Sequence, residues 1–172
     1  MPISLLLPAI LILLLITRQD LAERSVSWFL FPLLAALGAG LCWMELRSAR
    51  TLILNILVNA AFLLLQFGLL KFWFRWRTGK VAFIDHAIGK GDLLFLLASC
   101  CFFSPANFIL FYLLSLLFSL LLHLTLGKWS VVYGNHGNVP LAGLQAACLI
   151  LTLAIFAVKG IPTTVDLWKP SN

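Results

Sequence analysis

The longest uninterrupted apolar runs decide what this chain can fold into. "LLLPAILILLLI" (residues 5–16) and "ILFYLLSLLFSLLLHL" (109–124) hold almost no polar side chain and show no two-residue alternation. A membrane barrel needs alternating segments of about ten residues, whereas a run of about 20 apolar residues spans a bilayer as a helix whose backbone bonds are satisfied internally. The whole chain agrees: 62% of its 172 residues are hydrophobic and 10% charged, with a mean hydropathy of +1.06. Soluble domains are nearer 45–50% apolar and about 25% charged. The expected fold class is therefore all-α, a polytopic membrane helix bundle forming one transmembrane domain over residues 1–172.

Six spans are expected, near 2–17, 26–44, 51–73, 92–104, 107–126 and 139–159. The first resembles a signal peptide but lacks a basic leading region and a small-x-small cleavage site, so it is read as a retained helix. The fourth is short and is expected to end at "SPAN", where Pro105 breaks it. With six spans, Arg18, Arg24, Lys71, Arg75, Arg77, Lys80, Lys90 and Lys128 share one side, and Arg47, Arg50, Lys159 and Lys169 the other. That excess places the first set in the cytoplasm and both termini outside. "KFWFRWRTGK" (71–80) mixes cations with aromatics as an anchor at an anionic lipid surface does, so the net charge of +6 points to the lipid bilayer and not to nucleic acid.

Polar residues inside apolar runs are the candidates for chemistry. Cys42, Cys100, Cys101 and Cys148 form no C-x-x-C pair and read as small packing residues, with no metal or other cofactor expected. Asn55 and Asn59 lie on one face of the third span and are expected to bond neighbouring helices, and Ala36 with Gly40 to form a close helix contact. His123 is a candidate proton relay in the fifth span; His86 and His136 fall in loops.

Six carboxylates remain: Asp20, Glu23, Glu45, Asp85, Asp92 and Asp166. One span separates Glu45 from Asp92, so the two lie on opposite faces, and Glu45 is expected to pair with Arg47 or Arg50. Two spans separate Asp20 from Asp92, which returns them to the same face. Two carboxylates held close cannot both ionise easily, so one keeps a proton while the other acts as a base. Such a pair can activate water against a peptide carbonyl and protonate the leaving amine. The plainer readings are Asp92 as a helix N-cap after Gly91 and Asp20 paired with Arg24 one turn on.

These residues resemble the type IV prepilin peptidase and preflagellin peptidase family, the membrane aspartyl proteases. "DLAERSVSW" follows that family's D-x-x-x-R pattern with Asp20 and Arg24, but has Ser27 and Trp28 where Pro and Asn stand. "GKGD" matches its G-x-G-D motif with Gly89, Gly91 and Asp92. "NVPLAGLQA" keeps Pro140 but has Gly143 where a second proline is common. The resemblance implies catalysis by Asp20 and Asp92, with Gly89, Gly91, Arg24 and Pro140 on the substrate side. Its substrate would be the leader of a membrane-inserted prepilin-like protein, cut at the cytoplasmic face of a bacterial inner membrane. Gly89 and Gly91 are expected to supply positive φ and room for a substrate strand. Residues 1–172 hold no counterpart of the cysteine-bearing cytoplasmic domain of bifunctional members, so the peptidase half alone is implied. The altered motif positions leave an alternative, an inactive member serving as a membrane subunit or scaffold among envelope partner proteins.

Overall fold

A computed structural model describes residues 2–23, 25–78, 89–126 and 141–166, which form six helices. They are α1 (Ile3–Glu23), α2 (Leu30–Leu46), α3 (Ala49–Thr78), α4 (Lys90–Ser99), α5 (Pro105–Leu126) and α6 (Leu141–Lys159). The described residues contain no strand. By length and composition α1, α3, α5 and α6 can each cross a membrane, and α2 is a shorter apolar helix. The chain is a membrane helix bundle.

Contacts at the two ends fix the helix directions. At one end, the start of α6 meets both Asp20 near the end of α1 and Asp92 in the first turn of α4. At the other, the segment after α6 meets Glu45 at the end of α2 and Ser104 just before α5. Successive helices therefore alternate in direction, and α6 runs antiparallel to α1 and parallel to α4. Leu13, Ile16, Leu34, Phe95, Phe108, Leu149 and Leu153 are completely or almost completely enclosed in the core between them, while the outward faces carry exposed leucines such as Leu64, Leu113 and Leu151. That inverted surface suits lipid as solvent.

The fourth segment departs from expectation. Helix α4 stops at Ser99, after about 15 Å of rise, and Cys100–Phe103 turn across to the far end. Pro105 does not break a helix; it opens α5, at the first helical position, where its missing N–H costs nothing. Asn59 explains the early stop. Its buried Nδ2 donates to the carbonyls of Cys100, at 3.0 Å, and Phe103, at 3.1 Å, replacing the bonds that a continued helix would have made. Phe102 fills the space beside Gly38, where a Cβ would lie 2.5 Å from its ring. Gly38 is thus the tight small-residue contact of α2. Of the pair expected in that role, Ala36 is exposed and Gly40 approaches Leu5 on α1 less closely.

Helix α3 is 30 residues long, about 45 Å, against a hydrocarbon core of about 30 Å. Its helix continues past the apolar stretch into Lys71–Thr78, which presents exposed Phe72, Trp73 and Trp76 with Arg75 and Arg77. A groove of about 440 Å³ opens between this part of α3 and Tyr112 on α5, and neither Asp20 nor Asp92 lines it.

Candidate active site: two carboxylates on one helix N-terminus

Helix α1 buries Leu6, Ala9, Leu13, Ile16 and Asp20, a stripe at three- and four-residue spacing that ends in a carboxylate. Asp20 is 8% exposed. Its Oδ2 accepts a hydrogen bond from the Gly143 amide at 2.6 Å. Thr17, one turn earlier, donates to the Leu13 carbonyl at 2.8 Å and to the Gly143 carbonyl at 3.4 Å. This closeness requires glycine: a Cβ on Gly143 would lie 3.0 Å from Asp20 Oδ2 and 3.1 Å from Asp20 Cβ.

Asp92 reaches the same place from α4. Its Oδ1 accepts from the Ala142 amide at 2.8 Å. Consecutive backbone nitrogens in a helix are about 3 Å apart, so the two accepting oxygens are separated by at most about 9 Å. Asp92 is not itself the N-cap of α4, which is Gly89; from the first turn its carboxylate accepts from the Gly89 amide as well as from the first turn of α6. Both carboxylates thus satisfy amides that an isolated α6 would leave without partners, at the positive end of its dipole.

The glycines of "GKGD" act through space and not through unusual torsions. Gly89 has φ −61° and ψ 133°, which any residue adopts, but a Cβ there would lie 2.8 Å from Asp92 Oδ2. Gly91 would bring its Cβ no nearer than 4.0 Å to Phe31, an ordinary contact. Positive φ is confined, among the described residues, to Arg47 and Gly160, so the expectation of positive φ at Gly89 and Gly91 is corrected. Arg24 and Pro140 lie outside the described residues, as do the Asp20–Arg24 pairing, His86, His136 and the side chain of His123.

Glu45 sits at the opposite end, as parity required, but its partners are not Arg47 or Arg50. Its Oε2 accepts from the Thr163 hydroxyl, the Thr164 amide and the Thr164 hydroxyl at 3.0 to 3.3 Å. Asn107 donates to the Thr163 and Val165 carbonyls, and Ser104 to Asp166. These bonds fasten Gly160–Asp166 across the far end. Arg47 and Arg50 are exposed, where water already solvates them. Among the described residues, no three His, Cys, Asp or Glu side chains gather as metal ligands would, and the four cysteines are free thiols.

Sequence reasoning missed Ala142 and Gly143 as partners of the carboxylates. The signal was present in the departure from the family pattern. A proline at 143 has no N–H and could not donate to Asp20; glycine both donates and leaves the space. The arrangement brings two carboxyl groups from separate helices to consecutive amides at one end of the bundle. Comparison with protein-family models, with curated proteins and with solved structures returned no match.

Proposed function

We propose that this chain is an intramembrane aspartyl endopeptidase of the prepilin-peptidase type, with Asp20 and Asp92 as its acid–base pair. The observation that supports this most is the docking of both carboxylates on consecutive amides of α6. In the proposed reaction, the ionised carboxylate takes a proton from water as the water oxygen bonds to the scissile carbonyl carbon. The protonated partner then gives its proton to the amide nitrogen as the C–N bond breaks. One water is consumed, and a carboxylic acid and an amine are released. The amides of α6 hold both groups in register through this exchange.

The substrate is the leader of a membrane-inserted prepilin-like protein, cut at the cytoplasmic face of a bacterial inner membrane. Gly89 keeps the flank of Asp92 clear, with Gly91, Arg24 and Pro140 assigned to the substrate side by the motif resemblance. Arg18, Arg75 and Arg77 belong to the same end of the bundle, and their field favours a leader without strong positive charge. Asp20→Asn and Asp92→Asn test the reading cleanly, because an asparagine oxygen can still accept the α6 amide while the acid–base function is lost. Each variant should fold and fail to cleave. Cleavage retained by either one refutes the assignment.

A second reading is favoured by the same hydrogen bonds: the carboxylates serve as caps that close α1 and α4 onto α6, and the chain is a membrane subunit of an envelope assembly. It predicts a co-purifying membrane partner whose association is indifferent to both asparagine substitutions.

A further inference from the structure

Gln145 is completely enclosed, at 0% exposure, and neither its Oε1 nor its Nε2 has a hydrogen-bond partner among the described residues. Burying an amide in this way is unfavourable, and leucine or methionine would fill a similar volume without that cost. Its neighbours along the helix cannot compensate: Leu144, Ala146 and Leu149 are buried and apolar. The buried serine hydroxyls within α4 and α5 are committed to their own helices, Ser99 to the Leu96 carbonyl, Ser115 to that of Tyr112 and Ser119 to that of Ser115.

Position is the second observation. Gln145 follows Ala142 by three residues, so the two share a face of α6. Helical side chains lean toward the N-terminus of their helix, which directs the carboxamide toward the turn whose amides hold Asp92 and Asp20. A carboxamide offers an acceptor and two donors. A water complements both at once and is small enough for an enclosed position.

We propose that Gln145 is a positioning residue that holds a water molecule beneath the carboxylate pair. Oε1 accepts one of its hydrogens and Nε2 donates to its oxygen, and this water is the one that hydrolysis adds to the scissile carbonyl. The role in hydrolysis rests on the endopeptidase reading; the water site does not.

Two measurements separate these parts. Gln145→Met removes the polar group at nearly constant volume. In a cleavage assay its kcat should fall at least tenfold with KM within twofold of the parent, while the unfolding temperature stays level or rises. Hydroxyl-radical footprinting with a brief X-ray pulse reports bound water directly, and should modify Leu144 or Leu149 in the parent protein but not in Gln145→Met. Footprinting that follows this pattern in a protein that never cleaves would uphold the water site and remove the endopeptidase reading. Equal footprints in the two proteins would overturn the water site, and an unchanged kcat in Gln145→Met would overturn its role in hydrolysis.

Discussion

Gly143→Ala probes the approach of α1 to α6 on which the candidate site depends. The added methyl carbon would lie 3.0 Å from Asp20 Oδ2, 3.1 Å from Asp20 Cβ and 3.4 Å from the Thr17 carbonyl oxygen. The carboxylate oxygen can swing away, but Cβ and the carbonyl move only with the α1 backbone. The helices must therefore separate by a few tenths of an ångström. Overpacking of this kind costs about 1–3 kcal/mol, against which alanine regains up to about 1 kcal/mol of helix propensity. The net loss is about 0–2 kcal/mol. For a chain of 172 residues, each kcal/mol corresponds to about 2–4 °C in Tm, so a fall of up to about 8 °C is expected. Gly68→Ala is the control, because a Cβ there meets nothing within 4 Å and the substitution should be neutral or stabilising by about 0.5–1 kcal/mol. Thermal unfolding followed by tryptophan fluorescence in detergent compares the two. Displacing Asp20 should also lower cleavage, by about tenfold or more. If Gly143→Ala unfolds at or above the temperature of Gly68→Ala, the close α1–α6 contact is refuted.

Other consequences are equally direct. Asn59→Leu strands the buried carbonyls of Cys100 and Phe103 and should destabilise the protein by about 1–3 kcal/mol, read as a lowered unfolding temperature. Glu45→Gln keeps an acceptor for Thr163 and Thr164 at the end away from the carboxylate pair, so cleavage should be unchanged; a large loss would mean that the far end takes part in catalysis. Single cysteines introduced at Arg77 and Lys159 in a cysteine-free background should be labelled from opposite sides of sealed vesicles, with position 77 cytoplasmic. Labelling of both from one side would contradict the alternating helix directions.

The sequence made the placement of Asp20 and Asp92 legible because counting crossings needs only the number of apolar runs, not their packing. Asp20 could also be read as the last member of a buried stripe, since helical spacing survives in the letters. Other features depend on partners distant along the chain. Hydropathy carries through Cys100–Phe103 and cannot register that Asn59, 41 and 44 residues away, takes the carbonyls that end α4. From the sequence Glu45 reads as a partner of the nearby arginines, because its threonine partners lie 118 and 119 residues on. Apolar content marks where lipid contact ends and not where a helix ends, so α3 outran its expected span and reached Thr78. The roles of Ala142 and Gly143 are carried by backbone amides, which every non-proline residue possesses; only the missing proline at 143 distinguished them.

The central claim is that Asp20 and Asp92 work as one unit. Cleavage of a membrane-inserted prepilin-like substrate should be measured in reconstituted vesicles for the parent protein, Asp20→Asn, Asp92→Asn and the double variant. Groups that act together are strongly non-additive, so each single substitution should reduce kcat to background and the double should be no worse than either. Measurable cleavage in a single variant, with losses that multiply in the double, would contradict the pair.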